Sequence, residues 1–184
     1  ILESGKCTGT YFVATEYLHA EPLELTIERA PMPLPIKIAC RVIASAADGV
    51  HAAHDLRDEE GAPSELVHRH LCPRNIFVGW DGSVKVVDFG VGKFGSKVLA
   101  LKPGPDRVAY MAPEQVDGGE LDRRTDVFAL GVMLYELTTG RPLFVREHSS
   151  IPPQSAKKLL QIPPPEVDKP SSIIDGYPKA LEEI

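Results

Sequence analysis

Residues 66–75 read LVHRHLCPRN and bring together side chains that can accept protons or bind metals. An imidazole accepts a proton near neutral pH, so His70 could act as a general base. His68, His70 and Cys72 are spaced by two, and alternate residues of a strand face the same way. Because imidazole and thiolate both bind zinc, the same spacing could also build a metal site. The stretch therefore leaves two chemistries open, proton transfer and metal binding.

Hydrophobic patterning predicts the elements that surround this stretch. From Pro35 to about His54, apolar residues recur at steps of three and four, which predicts one long helix. The charged segment 55–65 predicts an exposed loop. Two short strands are predicted at 76–78 and 84–87, joined by Asp81-Gly82, a dipeptide that favours a tight hairpin turn. The LVHRHLCPRN stretch would thus lie between a helix and a hairpin.

The remaining segments predict a mixed helix and strand chain. Tyr11 to Leu18 is aromatic and β-branched, which predicts a strand, and Pro22 opens a short helical piece. Asp122 to Leu137 predicts a helix that is strongly apolar from Val127 onward and therefore central in the core. From Phe89 to Met111, four glycines and two prolines predict a long irregular loop, and such loops are usually functional. Two further helical stretches are predicted at Ser155–Gln161 and Pro178–Ile184, on either side of a proline triplet that we interpret as a stiff connector.

Composition limits the class of protein. At 184 residues with 43% hydrophobic content, the chain can build one substantial core but not two full domains. A net charge of -6 and a pI near 5.5 lack the cationic field of a nucleic-acid or anionic-membrane surface, so neither partner is predicted. Three widely spaced cysteines without a C-x-x-C pair predict reduced thiols and a cytoplasmic location. No apolar run approaches the roughly 20 residues of a membrane-spanning helix.

Four motifs follow one another along the chain: HRHLCPRN (68–75), VKVVDFG (84–90), YMAPEQ (110–115) and TDVFALGVMLYELTTGRPLF (125–144). Their order, spacing and setting resemble the second half of a protein-kinase domain of the bacterial eukaryotic-like Ser/Thr type, and the likeness covers nearly the whole chain. The resemblance implies an α+β, mainly helical fold. Residues 1–18 would be remnant small-lobe strands and the hinge, and residues 19–184 a kinase-like large lobe that is incomplete at its C-terminal end.

The resemblance also implies ATP and Mg²⁺ as cofactors and a protein substrate or partner. Phosphoryl transfer needs positioned Mg²⁺ ions, clamped phosphates and a carboxylate that orients the attacking hydroxyl. Asn75 and Asp88 match the two metal ligands, and both are hard oxygen donors. Four residues match positions around the adenine base: Thr15 as gatekeeper, Glu16 and Leu18 as hinge backbone, and Phe77 beneath the base. For Phe77, ordinary core packing is an equal alternative.

His70 stands where the resemblance places the catalytic aspartate. A neutral imidazole has no negative charge with which to orient a hydroxyl. Its ring nitrogens also occupy different positions from those of the two oxygens of an aspartate. Cys72 replaces the catalytic lysine, and Arg107 occupies the activation-segment position where eukaryotic kinases hold a threonine. We therefore predict a pseudokinase with a scaffold or regulatory role and weak residual Mg-ATP binding. An active Ser/Thr kinase and a non-functional fragment remain as alternatives.

The resemblance assigns two further roles. Asp126 would be the buried aspartate that holds the catalytic loop, residues 66–75 of this chain, by its backbone. Glu114 would pair with an arginine of the family's last helices, so in this chain an unpaired carboxylate is expected. Between Gly90 and Ala112 the only hydroxyl side chains are those of Ser96 and Tyr110, and Tyr110 belongs to the packed YMAPEQ segment. Ser96 is therefore the one candidate switch site, where Arg69 could clamp an added phosphate, and an unmodified loop serine is the alternative.

Two parts of the family's pattern are missing. No Gly-rich phosphate loop and no V-A-I-K lysine precede Tyr11, and the family's final helices would lie beyond Ile184. We therefore interpret the chain as part of a larger kinase-like domain.

Overall fold

The computed structural model describes residues 2–89, 108–144 and 167–183. The strands are β1 (Glu3–Cys7), β2 (Thr10–Ala14), β3 (Ala20–Pro22), β4 (Ile76–Gly79) and β5 (Val84–Val86). The helices are α1 (Leu23–Arg29), α2 (Ile36–His54), α3 (Pro113–Asp117), α4 (Arg123–Thr139), α5 (Pro170–Ile173) and α6 (Lys179–Glu182), with a 3₁₀ turn at Pro73–Asn75. The predicted helix at 155–161, the proline triplet and nearly all of the predicted loop after Phe89 lie outside the described residues.

The strands form two small antiparallel sheets. β1 and β2 make a hairpin whose turn residues Thr8 and Gly9 both have positive φ, while β3, β4 and β5 form a sheet in that order. The predicted hairpin at Asp81-Gly82 is confirmed, with Gly82 at a φ of 81°. The predicted strand at 11–18 is too long. It ends at Ala14, because residues 15–18 have no pairing strand and instead connect the hairpin to β3.

The core lies between the two long helices α2 and α4. The predicted helix after Pro35 is confirmed, and its apolar stripe, including Ala39, Ile43 and Val50, is buried. From α4, Met133 and Leu137 are fully buried against it. Burying an aliphatic side chain of this size contributes roughly 1.5–3 kcal/mol, so the contact between α2 and α4 stabilises the fold.

One face of α4 is more exposed than the sequence predicts. Val127 is 62% exposed although the apolar run that begins there predicted burial. The helix begins where the Asp122 carboxylate accepts a hydrogen bond from the Arg124 amide, and it ends at Gly140, which has a φ of 70°. Within the described ranges, no helix has both the length and the apolar character that crossing a membrane requires.

Candidate functional site

The backbone of the LVHRHLCPRN stretch is held by one buried carboxylate. Asp126 of α4 is 1% exposed, and its Oδ2 accepts hydrogen bonds from the His68 amide at 2.9 Å and from His54 Nε2 at 2.7 Å. Its Oδ1 accepts from the Arg69 amide at 2.9 Å. Carboxylates with several donors are well satisfied when buried. The predicted structural role of Asp126 is confirmed, and His54 at the end of α2 supports it.

His68 links this stretch to the segment that follows β5. A carbonyl oxygen only accepts, so His68 Nε2 donates to the Val87 carbonyl at 2.8 Å, while Nδ1 accepts from the His70 amide at 3.3 Å. The two bonds define a neutral ring. Burial lowers the pKa of His68 below its ordinary value of 6.5, in agreement with that state.

The metal-site alternative for His68, His70 and Cys72 is wrong. Both ring nitrogens of His68 are occupied by protein hydrogen bonds, so neither can bind a metal. Across the described parts of the chain, no group of three or more histidine, cysteine, aspartate or glutamate side chains is arranged to hold a metal ion. The segment curves through a positive φ of 63° at Arg69, so its alternate residues do not share one face as they would in a strand.

The lowered pKa of His68 predicts a pH dependence of stability. Because the unfolded ring binds a proton near pH 6.5 and the folded ring does so only at lower pH, the unfolded state takes up more protons between these values. The free energy of unfolding should therefore fall below about pH 6.5, by at most about 1.4 kcal/mol per pH unit from this group. His68→Gln should flatten that decline in urea titrations between pH 7.5 and 5. His51→Gln, at an exposed position, should leave it intact, and equal slopes in all three proteins would refute the assignment.

One backbone hydrogen bond joins the segments that carry the two predicted metal ligands, Asn75 and Asp88. The Val87 amide donates to the Asn75 carbonyl at 2.9 Å, which places Asp88 next to the 3₁₀ turn that holds Asn75. Asn75 is 3% exposed and its Nδ2 donates to the His70 carbonyl at 2.8 Å, so Oδ1 is the atom that it could offer to a cation. Asp88 is exposed and has a φ of 66°, a strained value typical of functional sites. One carboxylate and one amide oxygen suit Mg²⁺, which completes its shell with water and phosphate oxygens.

The two substituted positions differ in their surroundings. His70 is partly buried, and its backbone is held on both sides, by His68 and by Asn75. Cys72 lies in the hydrophobic core at 8% exposure, and burial raises the pKa of its thiol. A neutral buried thiol carries no positive charge, so Cys72 cannot do the electrostatic work of a lysine.

Two of the predicted adenine-site residues, Glu16 and Phe77, meet at the β4–β5 hairpin. Lys85 of β5 faces Phe77 of β4 in the strand register, and its Nζ forms an ion pair with Glu16 at 2.5 Å. Glu16 and Phe77 are therefore brought to the same hairpin. Thr15 is exposed, whereas Leu18 and Phe77 are partly buried. These positions leave both interpretations of Phe77 open, core packing and contact with a base.

The YMAPEQ segment contains one correction and one residue that sequence reasoning missed. Glu114 is not left without a partner, because its Oε1 accepts a hydrogen bond from Thr125 Oγ1 at 2.7 Å. Gln115 has no predicted role, yet its Nε2 donates to the Arg69 carbonyl at 2.8 Å. In the sequence, only its position in the YMAPEQ motif points to such a role. Arg69 Nε is buried and has no hydrogen-bond partner among the described residues, and the predicted sites at Ser96 and Arg107 lie outside them.

Comparison with known proteins gives consistent matches. The family model described as "Protein kinase domain" matches residues 3–175. The tyrosine-protein kinase MasK of Myxococcus xanthus is 38% identical over 189 residues, which cover 100% of this chain and 28% of that protein. The serine/threonine-protein kinase PknL of Mycobacterium tuberculosis is 34% identical over 187 residues, which cover 100% of this chain and 43% of that protein. The chain thus spans less than half the length of these curated relatives.

Proposed function

The chain belongs to the protein kinase domain family, and from that premise we propose that it is a pseudokinase that binds Mg-nucleotide weakly and acts through contacts with other proteins. One observation carries the proposal. The catalytic-loop scaffold is fully assembled around a residue, His70, that lacks the carboxylate of the phosphoryl-transfer reaction. A family of this kind uses protein substrates, so a protein is the proposed partner.

The nucleotide would be held by residues of the candidate site. Asn75 and Asp88 are proposed to bind Mg²⁺, which when bound neutralises charge on the phosphates. The backbone at Glu16 and Leu18 is proposed to meet the adenine base, with Phe77 beneath it. The hairpin that carries Phe77 and pairs with Glu16 through Lys85 supports this placement.

We propose that two side chains, His70 and Cys72, make phosphoryl transfer weak. His70 supplies a neutral or cationic ring where a carboxylate should orient the substrate hydroxyl, and loss of proton handling typically removes 10²- to 10⁴-fold in rate. Cys72 contributes no positive charge toward the transferred phosphoryl group, because a thiol is neutral when protonated and negative when it loses its proton. Both effects reduce transfer without removing the metal ligands.

An active Ser/Thr kinase is the second candidate. It is supported by the intact backbone scaffold, in which Asp126 and Asn75 hold the loop as a working site would need. In that case the imidazole of His70 would act as the general base. Transfer assays separate the two candidates when the chain keeps His70 and is extended by a phosphate loop, its lysine and the last helices.

Mg²⁺-dependent nucleotide binding tests the proposal. We expect calorimetry to detect weak ATP binding that needs Mg²⁺, in an extended form of the chain that also carries a phosphate loop, its lysine and the last helices. Asp88→Asn should weaken the Mg²⁺-dependent binding by about tenfold or more, because it removes the charged ligand. Asp81→Asn, in the exposed β4–β5 turn, is the matched control and should have no effect. Binding that is the same with and without Mg²⁺, or that survives Asp88→Asn, would contradict the proposal.

A further inference from the structure

Both polar atoms of the Gln115 side chain are used, and they join two separate parts of the chain. Oε1 accepts a hydrogen bond from the Ala112 amide at 3.0 Å, which satisfies a donor at the start of α3. Nε2 donates to the Arg69 carbonyl at 2.8 Å, 46 positions earlier in the sequence. One amide therefore connects the YMAPEQ segment to the catalytic loop.

The bond reaches a strained point of the backbone. Arg69 has a φ of 63°, a left-handed conformation that costs a non-glycine residue about 1 kcal/mol or more. Such a conformation persists only when the surroundings hold it. The Arg69 amide is held by Asp126, and its carbonyl is held by Gln115.

The same bond fixes the peptide unit that precedes His70. The Arg69 carbonyl and the His70 amide belong to one planar peptide group, which is bound on one edge by Gln115 and on the other by His68 Nδ1. The next carbonyl, that of His70, accepts from Asn75. Because a peptide plane moves as a unit, the direction in which the side chain of residue 70 projects from the backbone depends on Gln115, His68 and Asn75.

We propose that Gln115 is a positioning residue that sets the orientation of residue 70, and so couples the YMAPEQ segment to the catalytic loop. The proposal has two halves. The functional half, that the orientation of residue 70 matters for transfer, rests on the proposed function. The structural half, that Gln115 sets this orientation, rests on the hydrogen bonds alone. When the segment that carries Gln115 shifts, the peptide plane before His70 loses one of its two supports. Rearrangements of that segment are thereby transmitted to the site.

Amide hydrogen exchange of the chain tests the structural half. Gln115→Glu keeps an acceptor for the Ala112 amide but turns an oxygen toward the Arg69 carbonyl, so only the link to the loop is broken. We expect exchange of the His70 amide to accelerate by about fivefold to tenfold, while amides in the centre of α2 stay unchanged. Glu114→Gln changes the neighbouring side chain of α3, which makes no bond to the loop, and should leave the His70 amide protected.

Two outcomes would overturn the proposal. One is an unchanged His70 amide in Gln115→Glu. The other is equal acceleration throughout α2 and the loop, which would mean that Gln115 acts only on global stability. Gln115→Met, which loses both bonds, provides a second variant in case the glutamate perturbs folding, and it should expose the same amide.

Kinetics test the functional half in the extended form carrying His70→Asp. Adding Gln115→Glu should lower kcat by about tenfold and leave the KM for ATP within about twofold, because misdirection of residue 70 affects transfer rather than nucleotide binding. An unchanged kcat would overturn the positioning role. If neither His70→Asp nor the variant that also carries Cys72→Lys and Arg107→Thr shows transfer, the account of His70 fails, and the exchange experiment still decides the role of Gln115.

Discussion

Replacing His70 with aspartate is expected to raise phosphoryl transfer by about 10²-fold or more in the extended form of the chain. The change supplies a carboxylate at the position where we propose that the substrate hydroxyl is oriented. The backbone that would hold it is already in place, since the amide of residue 70 is held by His68 and its carbonyl by Asn75. The measurement is the initial rate of transfer from labelled ATP to a protein acceptor.

His70→Asn is the matched control for this gain. Asparagine has nearly the shape of aspartate but carries no negative charge, so it should leave the rate at the level of the unmodified chain. If Cys72 and Arg107 contribute equally, the single change will do little. Only a variant that also carries Cys72→Lys and Arg107→Thr will then gain activity, because residues that act as a unit are strongly non-additive. A failure of both variants would show that the defect lies elsewhere.

Replacing Asp126 with alanine is expected to lower the free energy of unfolding by about 3–5 kcal/mol. The carboxylate is buried and accepts hydrogen bonds from His54, His68 and Arg69, so its removal leaves three buried donors without a partner. The loss should be measured by urea denaturation of the chain.

Asp117→Ala and Asp126→Asn serve as comparisons for that loss. Asp117 is exposed at the end of α3, and surface substitutions of this kind usually fall within about 0.5 kcal/mol. Asparagine at position 126 keeps one oxygen acceptor, so its cost should lie between those of the other two variants. A loss below about 1 kcal/mol for Asp126→Ala would contradict the view that this carboxylate holds the loop.

The elements that sequence predicts well are those with strong local patterns. The α2 helix follows from its apolar stripe, and the β4–β5 hairpin follows from its Asp-Gly turn. The β1 strand was not found from patterning, because ESGKC has no alternation of apolar residues and is held by pairing with β2. The short helix α3 was missed for a related reason. Its five residues are too few to show a helical period.

In the candidate site, too, motifs predict the roles of some residues, whereas contacts between distant segments do not follow from the sequence. The role of Asp126 follows from its motif and is confirmed by its bonds to the loop. The expectation that Glu114 has no partner in this chain is wrong, since Thr125 becomes its neighbour only after α3 folds against the start of α4. The bond from Gln115 to Arg69 joins residues 46 positions apart, and no local pattern encodes it. The sequence therefore identifies the residues that could do chemistry more readily than the contacts that orient them.

We propose that the loop is assembled but lacks a catalytic carboxylate, and single-turnover transfer by the unmodified extended chain tests this proposal most directly. The protein, saturated with Mg-ATP, is mixed with a protein acceptor, and transfer of the γ-phosphate is followed over time. We predict a rate no higher than that of His70→Asn. A rate of about 1 to 100 per second, the ordinary range of kinases, that disappears in His70→Ala would show that His70 is a working base and would contradict the account.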